Sequence, residues 1–281
     1  MAATITVADK AGACFGVERA LELVRRTACE AKGPVHTLGP LIHNPQVVEA
    51  LSCEGVSPVT EPEDAQAGST LVMRAHGVTP QIERRALEAG LITVDATCPY
   101  VKKVHVAVAR LQKKGYEVLV VGEKGHPEVE GICGHASNAR VVGSAAEVAS
   151  LGIGRRVGLV AQTTLERSVL RSVVGELVGR CEELLVIDTI CSATRERQEA
   201  AADLASRVDV MIVVGGRSSA NTRHLADVCR AQCGRTYHVE LADELDGSWF
   251  EGVKAVGITA GASTPATQIK EVRARVEALC S

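Results

Sequence analysis

Three cysteines mark this 281-residue chain: Cys14, Cys98 and Cys191 lie 84 and 93 residues apart, and a strong helical pattern follows each. A polar loop comes 28 or 29 residues past each one: IHNPQ with His43, KGHPEVEG with His126 and Glu128, and RSSANT with Ser219 and Asn221. A second loop follows later in each stretch, carrying His76, then Thr163 and Thr164, then Ser263 and Thr264. Three thiolates complete neither a four-cysteine zinc site nor a four-cysteine electron-transfer cluster. They suit a cubane iron–sulfur cluster anchored at three irons, with the fourth open to a substrate ligand. The spacing alone leaves a second reading open, in which three small residues at strand-to-helix turns are ordinary core cysteines.

If the cysteines meet, His43, His76, His126, Ser219, Asn221 and Ser263 ring the same centre and offer hydrogen-bond donors without a lysine cluster. An anion with several oxygens fits such a ring, because helix N-termini and histidines bind phosphate without a Walker-type loop. No G-x-x-x-x-G-K-[ST] sequence is present, and neither VVGGRSS nor TAGAS carries the full dinucleotide fingerprint. Glu128 places one carboxyl two residues past His126. Beside a negative cluster and an anionic substrate its pKa would rise, making it a proton donor, with Thr163 to relay or orient the proton. A solvated loop carboxylate is the plain alternative. Asp95 and Asp188, each three residues before a cysteine, read as parts of the strand-to-helix turn.

The elements that must position these residues repeat with them. FGVERALELVRR, PYVKKVHVAVARLQKKG and SATRERQEAAADLAS carry apolar residues at helical intervals after the three cysteines. Short β-branched runs follow: VHTLGPL, YEVLVVGE and DVMIVVGG, then TLVMRAHG, VGLVAQTT and AVGITAGAST. Last strands, LITVDATC and LLVIDTIC, lead into Cys98 and Cys191, and TITVADKAGAC supplies the equivalent before Cys14. The alternation predicts α/β layers with largely parallel sheets and functional loops beyond the strands' carboxyl ends. We expect three lobes, over residues 1–97, 98–190 and 191–281, with residues 1–13 able to pair with the third.

A hydrophobic fraction of 46% supplies a core, whereas 2% aromatics and a net charge of −3 give no case for nucleic-acid binding. No targeting segment or run of about 18 apolar residues is present, so the expectation is a soluble, cytoplasmic protein with no membrane partner. Ten cysteines in a chain of this type are ligands, catalytic groups or core residues rather than a disulfide framework. Cys229 and Cys233, with His224 and His238 nearby, suggest either a zinc site or a buried helix face.

Eight short motifs occur in order: GACFGV at 12–17, GPLIHNP at 39–45, RAHGV at 74–78, DATCP at 95–99, GHPEVEG at 125–131, AQTT at 161–164, DTIC at 188–191 and TAGASTP at 259–265. Together they resemble the 4-hydroxy-3-methylbut-2-enyl diphosphate reductases, the IspH/LytB family, nearly end to end. The resemblance implies three similar α/β lobes arranged with pseudo-threefold symmetry around one 4Fe-4S cluster, with Cys14, Cys98 and Cys191 as its three ligands and one iron open for the allylic hydroxyl. It implies that His43, His76, His126, Ser219, Asn221 and Ser263 hold the substrate's diphosphate, that Glu128 supplies protons and that Thr163 assists. Val17 and Val101 would face the isoprenoid carbons. The implied reaction is the last step of the non-mevalonate isoprenoid pathway, which makes isopentenyl and dimethylallyl diphosphates with electrons from ferredoxin or flavodoxin. Ala220 stands where the family often has serine, so one diphosphate hydrogen bond is expected to be missing. A non-redox iron–sulfur dehydratase, an iron–sulfur sensor and a zinc-binding protein remain the competing readings.

Overall fold

A computed structural model describes residues 3–280. The chain begins with β1 (Thr4–Val7) and α1 (Phe15–Glu30). A first sheet motif follows: β2 (Val35–Leu38), α2 (Pro45–Cys53), β3 (Val56–Val59), β4 (Thr70–Met73), α3 (Pro80–Glu88) and β5 (Ile92–Asp95). The second comprises α4 (Pro99–Lys113), β6 (Glu117–Val121), α5 (Pro127–Cys133), β7 (Ala139–Val142), α6 (Ala145–Ala149), β8 (Arg156–Ala161), α7 (Arg167–Leu177) and β9 (Glu183–Val186). The third comprises α8 (Ser192–Ala205), β10 (Val210–Val214), α9 (Ala220–Arg230), β11 (Thr236–Val239), β12 (Ala255–Ala260) and α10 (Ala266–Leu279).

These strands form three four-stranded parallel sheets of one topology: β3-β2-β4-β5, β7-β6-β8-β9 and β11-β10-β12-β1. The chain's first strand thus takes the place in the third sheet that β5 and β9 take in the other two. The expected α/β lobes with parallel sheets are present. The sequence reading passed over one strand per sheet, the edge strands β3, β7 and β11. Each has only four residues and partial exposure, and β3 contains Pro58, which only an edge accepts readily.

The central strands read as unbroken apolar runs because helices cover both of their faces. Val210, Ile212 and Val214 pack with Val272 and Val276 of α10, whereas Met211 and Val213 point the other way, onto Leu204 of α8 and Leu225 of α9. In the second sheet Leu119 and Val121 meet α6 and α7, and Val118 and Val120 meet α4 and α5. The chain divides into two compact units: Met1–Val17, His43–Val47 and Ser192–Ser281 form the first, and Glu18–Ile42 with Val48–Cys191 the second. No helix of the described residues is long and apolar enough to cross a membrane.

Each sheet changes its direction of winding between its first and third strands. Ligands of open α/β sheets bind beyond the carboxyl ends of strands at such a switch point. The loops of His43, His126 and Ser219 follow β2, β6 and β10, and those of His76, Thr163 and Ser263 follow β4, β8 and β12. Every candidate binding loop therefore leaves a strand that flanks a switch point.

Candidate functional site

One backbone hydrogen bond recurs at all three cysteines. The N–H of Cys14 donates to Ala262 O at 3.1 Å, that of Cys98 to Ala75 O at 3.0 Å and that of Cys191 to Thr163 O at 3.0 Å. The acceptors lie in the loops after β12, β4 and β8, so each cysteine is tied to the loop that carries Ser263, His76 or Thr164 as its next residue. All three are partly exposed, outside any disulfide, and directly before α1, α4 and α8. Asp95 and Asp188 shape the turns as expected: Asp95 Oδ1 accepts the Thr97 N–H at 2.8 Å and Asp188 Oδ1 the Ile190 N–H at 3.2 Å.

Cys14 belongs to the first unit, which also brings His43, Ser219 and Ser263 together. Ser263 Oγ donates to the His43 carbonyl at 3.2 Å, and a Cβ on Gly216 would stand 2.9 Å from that same carbonyl. Gly216 O in turn accepts the Ser219 N–H at 3.0 Å. Ser219 caps α9, its hydroxyl accepting the Thr222 N–H. Asn221 lies in the first turn, buried, and its Nδ2 has no hydrogen-bond partner among the described residues. A buried amide donor costs free energy until it is satisfied, so it suits an anionic ligand.

Two residues here were not singled out in the sequence. Asn44, buried, donates through Nδ2 to Ser263 O at 3.0 Å and accepts the Val47 N–H at Oδ1, capping α2. The cap-forming residues of the three first loops are therefore Asn44, His126 and Ser219, and His43 sits one position before its cap. The Asn-Pro pair at 44–45 is a helix-start signal that could have revealed this. Arg197, buried, donates to Gly12 O at 2.7 Å and steadies the turn before Cys14. Nothing in its spacing marked it.

Cys98 and Cys191 belong to the second unit, with His76, His126, Glu128 and Thr163. His126 caps α5: its Nδ1 accepts the Glu128 N–H at 3.1 Å, which in the neutral ring leaves the proton on Nε2. The rings of His76 and His126 lie edge to face with centroids 5.6 Å apart. Glu128 is 2% exposed; its Oε1 accepts the Thr163 N–H at 2.6 Å and its Oε2 the Thr163 hydroxyl at 2.9 Å. Burial lifts its pKa to about 7, against the opposing effect of the two Thr163 bonds. The Glu128–Thr163 pair joins loops 35 residues apart because β6 and β8 are adjacent, with Val121 in register with Ala161. Val17 and Val101 are both buried.

The residues of the proposed zinc alternative serve packing. Cys229 and Cys233 lie in the core with Leu225, Ala226 and Met211, and burial pushes the Cys229 thiol up to about 12. His238 Nε2 bonds to Gly215 O at 2.7 Å. No group of three or more His, Cys, Asp or Glu side chains that could hold a metal ion occurs among the described residues.

A family model described as LytB protein matches residues 5–277. A 4-hydroxy-3-methylbut-2-enyl diphosphate reductase of Aquifex aeolicus (strain VF5) is 46% identical over 280 residues, covering 98% of this chain and 96% of its own. One from Geobacter sulfurreducens is 48% identical over 274 residues, covering 97% and 96%. Among solved structures, one described as (E)-4-hydroxy-3-methyl-but-2-enyl diphosphate reductase, the terminal enzyme of the non-mevalonate pathway, superposes with a TM-score of 0.73. It is 45% identical and matches 99% of this chain and 100% of that one. The E-1-hydroxy-2-methyl-but-2-enyl-4-diphosphate reductase of Plasmodium falciparum superposes with a TM-score of 0.91 at 30% identity, over 96% and 86% of the two chains. With a family model spanning the chain and relatives matched over nearly their whole length, this chain belongs to the LytB family.

Proposed function

We propose that the chain reduces (E)-4-hydroxy-3-methylbut-2-enyl diphosphate to isopentenyl and dimethylallyl diphosphates, as a cytoplasmic iron–sulfur enzyme closing the non-mevalonate isoprenoid pathway. The observation that carries this reading is the Glu128–Thr163 pair, a buried acid poised near neutrality in a chain nearly half identical to named reductases. The reaction takes up two electrons and two protons; one C–O bond breaks, one C–H bond forms and one water leaves. A proton added at either end of the resulting three-carbon allyl unit gives one isomer or the other.

Cys14, Cys98 and Cys191 would hold the cluster. They fit it chemically: all three are cysteines outside any disulfide and directly before a helix, and each is fixed by the same backbone bond. A 4Fe-4S cluster with three protein ligands would supply electrons one at a time and one open iron for the substrate's hydroxyl.

The chain's own residues supply binding and protons. His43, His76, His126, Ser219, Asn221 and Ser263 are the proposed partners of the diphosphate. The unpartnered Asn221 amide is a donor ready for a phosphoryl oxygen. Glu128 near neutrality is partly protonated, and protonation reverses its bond to Thr163. The acid then donates to Oγ, and the threonine hydroxyl becomes free to pass its own proton to the departing oxygen.

An anaerobic assay tests the reading. With the hydroxylated diphosphate and a low-potential donor such as ferredoxin or flavodoxin, both isomers should form; loss of water to a more unsaturated product without uptake of electrons would favour a dehydratase. Cys98→Ser should lose iron, sulfide and turnover together, and a protein with neither product nor cluster would overturn the proposal.

A further inference from the structure

Helix α4 differs from every other helix of the described residues in its charge. Between Pro99 and Lys113 it carries Lys102, Lys103, Arg110 and Lys113 and no acidic residue, whereas each of the other nine helices contains at least one Asp or Glu. The whole chain is net negative, so this is a local inversion. The inward face, Val101, Val104, His105, Val108 and Leu111, is buried, and Val104, Val108 and Leu111 enter the core of the second sheet. The outward face leaves all four cations exposed around Ala109 and Val106, a valine that is 68% exposed. Beside this face lies a cavity of about 350 Å³ to which Val106, Ala109, Lys102 and His135 contribute, together with the acids Glu83 and Asp95. Lys102 pairs with Asp95, and Lys103 lies over the Tyr100 ring, 5.3 Å from its centroid.

The residue capping α4 is Cys98. Val106 is eight residues on, about 12 Å along the axis at the usual rise per residue. We propose that the outward face of α4 is the docking surface for an acidic, low-potential one-electron carrier protein. This rests on the reductase reading, which requires two electrons from outside, one per encounter; each docked carrier is oxidised by one electron. A basic ring steers an acidic partner into place and the exposed valine with its adjoining cavity gives the contact an apolar centre.

The test uses anaerobically reconstituted holoenzyme and the triple variant Lys103→Glu, Arg110→Glu, Lys113→Glu, with a plant-type ferredoxin as the probe. Calorimetric binding at low salt should weaken about tenfold or more and lose most of its salt dependence. KM for ferredoxin should rise in parallel, while turnover driven by reduced methyl viologen stays within about twofold of wild type; Arg171→Glu on α7 should change neither. Ferredoxin binding within about twofold of wild type overturns the proposal, as does an equal loss of rate with both reductants. Failure of the reductase reading itself has a different signature, since wild-type protein would then turn over with neither reductant while the binding measurement still reports on the surface.

Discussion

Glu128 is held by a threonine that offers both a backbone N–H and a hydroxyl, yet burial outweighs them and raises its pKa from 4.5 to about 7. A group raised in the folded state stabilises the fold fully at pH below its unfolded value, and that contribution is lost as pH rises towards 7, by about 3 kcal/mol in all. Glu128→Gln reproduces the donor and acceptor pattern of the protonated acid. It should therefore retain cluster and substrate, lose about 10²- to 10⁴-fold in turnover and abolish the fall in rate above pH 7. Its thermal midpoint should also depend less on pH between 4.5 and 7. Ala220, 1% exposed at the first position of α9, gives a second test. Ala220→Ser should lower the substrate's dissociation constant roughly two- to tenfold, as one added hydrogen bond predicts, without changing the products. An unchanged constant would remove the missing contact. The sequence made the cysteines legible through the repeated offset of the loops that follow them, Glu128 through its place two residues past His126, and Thr163 through the second loop of each stretch. Arg197 was hidden because its partner, Gly12, is distant in the chain and follows from no local pattern; Asn44 had a local helix-start signal, but its bond to Ser263 is equally distant.

At the scale of elements, helix caps carry the candidate ligands. Asn44, His126 and Ser219 each accept a first-turn N–H with the side chain, so one loop design serves all three lobes while the residues at the caps differ. That difference is what a repeated scaffold needs to read an asymmetric substrate. Asn44→Ala should cost about 1 kcal/mol through the lost cap and also release the carbonyl of Ser263. The expected readout is a thermal midpoint lower by a few degrees and a higher KM for the diphosphate, with kcat close to wild type; an unchanged KM would separate the cap from binding. The central strands were legible as apolar runs because both of their faces are covered. The edge strands were not, since TYHV and ARVV mix polar and apolar, half-buried and buried residues over only four positions.

For the molecule as a whole, the third sheet is completed by the chain's beginning. β1 lies parallel to β12 from Thr4 opposite Ala255 to Val7 opposite Ile258, and the segment after it continues the same line of bonds. Ala8, Gly12 and Cys14 donate in turn to the carbonyls of Ile258, Ala260 and Ala262. Cys14 is thus the end of a strand addition, whereas Cys98 and Cys191 follow strands continuous with their own sheets. Ile5 and Val7 also pack on the core that holds Val256 and Ile258. A chain shortened to begin at Ala8 loses these apolar contacts and leaves β12 as an open edge. Hydrogen exchange in β12 should rise, the thermal midpoint should fall, and bound iron should drop because the Cys14 turn loses its anchor while the other two cysteines keep theirs. Full iron content in the shortened chain, with β12 exchange also unchanged, would mean that the turn from Ala8 to Cys14 holds its place without the strand.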